Sequence, residues 1–217
     1  MGRVSTYSAD KERHYYESAA EDRRALPFEQ LDQYLQGSVG LDAFRGKWVL
    51  DIGAGEGVYS AWIADRGGAA QVVGIELTEH RIRRDYERML PNLRFTSGNI
   101  FELTIEASYD VVFMNLVLHH LRFKLAEALS IVRGALVPGG EFIAFEPNPY
   151  SPAAALAHWL HERSANEGFL TSRRTENALA AAGFSNIRVG YFWRNRRWAR
   201  HPLLASSFWI RATKPDS

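Results

Sequence analysis

The amino-acid sequence predicts an α/β protein built on a mainly parallel sheet. Short apolar runs alternate with amphipathic stretches from Lys47 to Phe145, the pattern of strands buried on both faces and joined by covering helices. A turn carrying Gly53, Gly55 and Gly57 closes the first of those runs, at the strand-to-helix junction where open sheets bind ligands. Two final strand-like runs, Ile187 to Trp193 and Ser207 to Thr213, are separated only by an Arg- and Trp-rich loop. With no room for a helical crossover, those two should pair antiparallel.

Composition sets the outer bounds. The chain has 217 residues, 46% hydrophobic and 24% charged, which suits one large globular domain and excludes collagen-like, coiled-coil and disordered classes. It contains no cysteine, so disulfides, thiolate nucleophiles and iron–sulfur clusters are ruled out. With 26 basic against 25 acidic residues, no global field draws it to nucleic acid or to an anionic membrane. Met1 to Asp10 lacks the apolar core of a signal peptide. No apolar run reaches the ~20 residues of a membrane span. The expectation is a cytoplasmic protein.

The elements follow in order. The first forty-five residues read as a separate helical segment. Asp10 to Arg24 is a charged helix containing Tyr15 and Tyr16, and Pro27 opens a second helix at Phe28 to Leu35, with Leu31, Tyr34 and Leu35 on one face. From position 46 onward the α/β pattern takes over. Its strands are Trp48 to Ile52, Gln71 to Ile75, Leu93 to Thr96, Tyr109 to Met114 and Glu141 to Phe145. The intervening helices are Val58 to Arg66, Thr78 to Leu90 with Thr78 as N-cap, and Lys124 to Leu136. After Phe145 the alternation breaks. A proline-bearing, alanine-rich helical insertion spans about 150–170, and Thr171 to Ala182 forms a further helix stopped by Gly183.

The glycine turn is a weak signal alone, since any tight turn favours glycine. Its weight comes from Glu76, which ends the second strand, where a carboxylate can accept from both hydroxyls of an adenosine ribose. Nicotinamide and S-adenosylmethionine cofactors both satisfy that arrangement.

Val49-Leu50-Asp51-Ile52-Gly53-Ala54-Gly55-Glu56-Gly57 resembles the first motif of class I S-adenosylmethionine-dependent methyltransferases. Gly98-Asn99-Ile100, Tyr109-Asp110-Val111-Val112 leading through Asn115 to Leu118-His119-His120-Leu121, and Pro138-Gly139-Gly140 resemble later motifs in the same order, closest to the small-molecule, quinone-biosynthesis type. The resemblance is strong from about Lys47 to Glu146. It implies a three-layer Rossmann-like fold with a seven-stranded, mostly parallel sheet and an antiparallel last strand, the N-terminal helices serving as a lid.

It also implies a site. Backbone amides of Gly53, Ala54 and Gly55 would face the methionine end of S-adenosylmethionine, with Asp51 holding the turn and the amino group. Glu76 would take the ribose, Leu77 and Ile100 would flank the adenine, and Asn115 with Leu116 would close the methionine side. Asn99 stands where the family usually has Asp; its amide oxygen can still accept from the adenine amine.

The sulfonium activates its own methyl group, so alignment and exclusion of water dominate, and a base is needed only when the acceptor carries a proton. His119 and His120, after the fourth strand, are candidates for that base, or packing residues at a helix start. Glu146, leaving the fifth strand, could accept from an amine or hydroxyl of the acceptor or cap a helix. Asn148-Pro149-Tyr150 resembles an amino-methyltransferase motif but follows the wrong strand. Tyr15 and Tyr16 could face the cofactor or simply pack.

Trp193-Arg194-Asn195-Arg196-Arg197-Trp198 with Arg200 mixes cations and aromatics that could meet bases, an anionic ligand, a lipid surface or a second subunit, or form a solvated loop. No metal-ligand spacing is present, His158 and His161 lacking a clear partner beyond Glu162. The resulting expectation is a methyltransferase acting on an oxygen or nitrogen of a small-molecule acceptor, with nucleic acid disfavoured as partner and a homodimer open. Rival readings are a nicotinamide-dependent oxidoreductase and a non-catalytic binding protein on the same fold.

Overall fold

A computed structural model describes residues 7–18, 28–152, 168–192 and 205–216. Seven strands form one sheet: β1 (Trp48–Ile52), β2 (Gln71–Glu76), β3 (Leu93–Ser97), β4 (Tyr109–Asn115), β5 (Leu136–Pro147), β6 (Ser185–Phe192) and β7 (Ser207–Thr213). Their order is β3-β2-β1-β4-β5-β7-β6. The first five are parallel, and β7 runs antiparallel to both β5 and β6. The predicted Rossmann-like architecture and its antiparallel closing strand are therefore both present.

Alternation along the strands builds two cores. Val49, Val111, Phe113, Ile143 and Phe145 point to one face, packing with Leu31, Leu35, Phe44 and Trp62. Leu50, Ile52, Val112, Met114, Phe142 and Ala144 point to the other, against Leu129, Val132, Leu179 and Ile210. Helices α3 (Val58–Asp65), α5 (Leu125–Ala135) and α6 (Ser172–Ala181) supply these covers, while α1 (Ala9–Ser18), α2 (Phe28–Leu31) and α4 (Asp85–Met89) are the shorter or more polar ones. The side chain of Thr171 caps α6, accepting from Arg174 N–H at 3.2 Å.

Three elements differ from the sequence reading. The continuous helix expected over Thr78 to Leu90 is a 3₁₀ turn at Glu79–Arg81 followed by α4, with Ile82 extended between them. Arg84 donates to the Phe95 carbonyl at 2.9 Å, and Glu87 accepts from the Phe95 N–H at 2.6 Å. These side chains satisfy backbone groups of edge strand β3 as well as pairing with each other, Arg84 donating to Glu87 Oε2 at 2.9 Å. Thr78 does not cap with its side chain; its hydroxyl instead donates to Glu76.

The Phe28 to Leu35 helix becomes α2 followed by a π-helical turn at Asp32–Gln36. Here Asp32 accepts from Trp62 Nε1 at 2.8 Å and from Arg66 at 3.0 Å, docking the segment on α3. Strand β5 begins at Leu136, before the Pro-Gly-Gly, with a register shift opposite Tyr109 and Val111. Most of the insertion at about 150–170, the His158–His161 pair and the Arg- and Trp-rich loop at 193–200 lie outside the described residues.

Candidate active site

Strand order reverses direction between β1 and β4, and open α/β sheets bind ligands at the carboxyl ends of strands flanking such a switch point. A cavity of about 430 Å³ occupies that position. All ten residues expected to hold cofactor line it: Asp51, Gly53, Ala54, Gly55, Glu76, Leu77, Asn99, Ile100, Asn115 and Leu116. His119 and His120 line it too. Glu146 does not.

At the β1 end, Gly53, Gly55 and Gly57 have φ of 76°, 58° and 82°, the left-handed region that disfavours side chains. A Cβ on Gly53 would strike Val117, and one on Gly55 would lie 3.3 Å from the Arg81 guanidinium. The turn's amides are used differently from the expectation. Gly53 and Ala54 N–H both donate to the Ile75 carbonyl, at 2.8 and 3.0 Å, and Gly55 N–H donates to Glu76 Oε2 at 2.8 Å. Tying the turn to β2 commits these donors, so the turn offers a ligand its bare Cα surface rather than its amides.

Glu76 is only 4% exposed. Its Oε1 accepts from Thr78 N–H and hydroxyl at 3.2 and 3.0 Å, and Arg81 lies 3.9 Å away. Oε2 bonds only Gly55 among these contacts, so it can accept again toward the cavity. Asp51, 1% exposed, accepts from the Ser60 hydroxyl at 2.6 Å. Burial pushes its carboxyl up to about 7; the Ser60 bond opposes that and the Glu76 charge adds to it.

Asn99 donates to Glu102 Oε1 at 2.8 Å and accepts from Phe101 N–H at 3.2 Å, an Asx turn that leaves its oxygen one more acceptor site. Asn115 accepts from the Tyr34 hydroxyl at 3.2 Å. Leu116 has φ of 59°, unusual for a branched side chain, and is 44% exposed at the cavity.

The opposite end is built from parts far apart in sequence. Glu146, fully buried, accepts from Val117 N–H at 3.0 Å and Leu118 N–H at 2.8 Å through one oxygen, and meets His119 Nδ1 at 2.7 Å through the other. Its role therefore differs from the expected contact with an acceptor or cap of the following helix. It fixes the loop after β4, and His119 within it, from behind. His120 lies between two residues of α1, with Nδ1 2.7 Å from Glu12 Oε1 and Nε2 3.2 Å from the Tyr16 hydroxyl. The two imidazoles sit 4.1 Å apart. Arg81 stacks over the Tyr16 ring at 4.4 Å, joining this end to Glu76.

Sequence reasoning missed Glu12, Tyr7 and Arg81, which line the cavity, and Tyr34, which donates to Asn115 behind it. Only a helical pattern bringing Glu12 and Tyr16 to one face, four residues apart, hinted at the first. Asn148 serves structure: it donates to the Ala205 carbonyl at 2.8 Å and accepts from Tyr150 N–H at 3.3 Å. Among the described residues no group of three His, Asp or Glu side chains could hold a metal ion, and no helix is long and apolar enough to cross a membrane.

Comparison with known proteins agrees with this architecture. Residues 49–140 match the family model of a methyltransferase domain. A trans-aconitate 2-methyltransferase of Deinococcus radiodurans is 32% identical over 119 residues, 55% of this chain and 44% of that protein. A tRNA U34 carboxymethyltransferase of Alcanivorax borkumensis is 35% identical over 109 residues, 48% of this chain and 33% of its own. The chain thus spans less than half the length of either relative. A solved S-adenosylmethionine-dependent methyltransferase of Archaeoglobus fulgidus superposes with TM-score 0.68 at 17% identity, covering 87% of this chain and 95% of that one. The fold is that of the class I methyltransferases. Within that fold, residues 49–140 carry the match to the methyltransferase-domain family model.

Proposed function

We propose that the protein transfers a methyl group from S-adenosylmethionine to an oxygen or nitrogen atom of a small-molecule acceptor. The observation that carries this reading is the pairing of two buried carboxylates, Asp51 and Glu76, at the ends of β1 and β2 in a cavity that also holds two histidines. A carboxyl held up to about 7 by burial is suited to an ammonium partner, which would repay its desolvation. Glu76 Oε2 suits a ribose hydroxyl, Leu77 and Ile100 suit an adenine face, and the Cβ-free turn suits close approach. These residues fit the cofactor.

Bound there, the cofactor would supply a methyl group already activated by its sulfonium. The chain's own task is then to bind, orient and keep water out. Asn115 and Leu116 would wall the methionine side. His120, in contact with the Tyr16 hydroxyl, is placed to receive a proton from an acceptor O–H or N–H as the new bond forms. Glu146 holds His119 beside it, giving the acceptor end a fixed floor.

The relatives leave acceptor class open. They carry names for action on tRNA, ribosomal RNA, a ribosomal protein and trans-aconitate, so the near-zero net charge does not exclude nucleic acid. Incubation with methyl-labelled S-adenosylmethionine and a fractionated cell extract tests the reading. Label is expected in the small-molecule fraction; label confined to RNA or protein would refute the acceptor class.

A further inference from the structure

We propose that Glu102 is a positioning residue for cofactor recognition, holding the Asn99 amide so that its oxygen, not its nitrogen, meets the base of the bound nucleoside and selects a 6-amino purine over a 6-oxo one. The choice of base rests on the proposed function above; the orientation of the amide does not.

An asparagine side chain is ambiguous as a recognition group, since a half-turn exchanges an acceptor for a donor. At Asn99 the neighbours remove that ambiguity. A carboxylate can only accept, and Glu102 Oε1 lies 2.8 Å from Asn99 Nδ2. A backbone N–H can only donate, and that of Phe101 meets Asn99 Oδ1 at 3.2 Å. Flipping the amide would set two acceptors against each other at Glu102 and two donors at Phe101, so both contacts oppose it.

The loop carrying these groups is itself held. The Asn99 carbonyl accepts from the N–H of Glu102 and Leu103 at 2.9 and 3.2 Å. The Phe101 ring packs edge-on to Tyr7 at 5.1 Å, with Lys124 Nζ 4.5 Å from its centroid. Asn99 is buried and lines the cavity, whereas Glu102 is exposed and lies outside that lining. Glu102 therefore reaches a ligand only through Asn99. Oδ1 keeps one further acceptor site, and that is what Asn99 offers the cavity. The exocyclic amine of adenine satisfies it. The carbonyl of hypoxanthine would leave two oxygens facing each other.

The same contact accounts for the residue type at position 99. An aspartate there would bring a second carboxylate against Glu102, where the amide nitrogen now sits at 2.8 Å. Two carboxylates so close repel, and one is driven to take a proton. The amide supplies an acceptor without that conflict.

Calorimetry of the full chain with S-adenosylhomocysteine and with S-inosylhomocysteine tests this. The wild type is expected to bind the adenosyl compound at least about ten-fold more tightly. Glu102→Leu should narrow that ratio several-fold, while Glu102→Gln, whose amide oxygen can still accept from Asn99, should keep it within about two-fold. Asn99→Asp should weaken S-adenosylhomocysteine binding about ten-fold, and adding Glu102→Gln should restore it to within a few-fold of the wild type. A wild type that prefers the inosyl compound overturns the proposal, as does Asn99→Asp binding as tightly as the wild type. A ratio unchanged in Glu102→Leu, the result of a merely structural role, overturns it too. If the wild type binds neither compound, the functional reading fails instead. Urea unfolding then reads the pair alone: Asn99→Asp should lose stability and the double variant regain it, and an absence of that coupling would remove the Asn99–Glu102 pairing as well.

Discussion

The two ends of the cavity are made in different ways. At the β1–β2 end, Asp51, the glycine turn and Glu76 lie within 26 consecutive positions of the sequence, and their contacts are mostly to one another. At the other end, Glu12 and His120 stand 108 positions apart and His119 and Glu146 stand 27 apart. The first end is a local device that travels as a motif. The second is assembled by tertiary packing and so is free to differ between relatives that share the fold.

Substitutions at the two ends should separate stability from binding. Glu146→Ala is expected to have the largest effect, a stability loss of about 3–5 kcal/mol in urea unfolding, because it strands His119 and two backbone N–H groups without their acceptor. Glu76→Ala should instead weaken S-adenosylhomocysteine binding by about 1–3 kcal/mol in calorimetry. If Glu146→Ala proves as stable as the wild type, the distinction between the two ends fails.

Asp51 gives a pH signature. Its folded carboxyl titrates near 7 against an ordinary 3.8, so the folded state binds more protons across that interval. Its contribution to stability is therefore full below about pH 4 and is lost as pH rises toward about 7. Asp51→Asn should flatten this slope in unfolding measured from about pH 4 to about pH 8; an identical slope in both proteins contradicts the assignment. The smallest effect is expected at Leu116. With φ of 59°, Leu116→Gly relieves backbone strain that offsets the greater freedom of an unfolded glycine, and stability should change by no more than about 1 kcal/mol. A much larger loss would show that the Leu116 side chain packs more than its exposure implies.

The contrast between the ends also explains what the sequence revealed. Strands β1, β2 and β4 were legible because parallel strands buried on both faces read as continuous apolar runs. The cofactor residues were legible because they sit at fixed offsets from those strands. The use of the turn's amides was not, because nothing in Gly53-Ala54-Gly55 says that the Ile75 carbonyl and the Glu76 carboxylate take them. The break in the Thr78 to Leu90 helix was hidden for a related reason: Arg84 and Glu87 look like solvent-facing helix residues but bond the backbone of Phe95 on β3. Glu12 was illegible as a site residue since its partner belongs to a loop beyond β4.

Isothermal calorimetry of the wild-type chain with S-adenosylhomocysteine addresses the central claim most directly. The account predicts saturable binding at one site per chain, lost or strongly weakened in Glu76→Ala and not reproduced by NADH. No heat from a folded sample, or equal binding by Glu76→Ala, would contradict it.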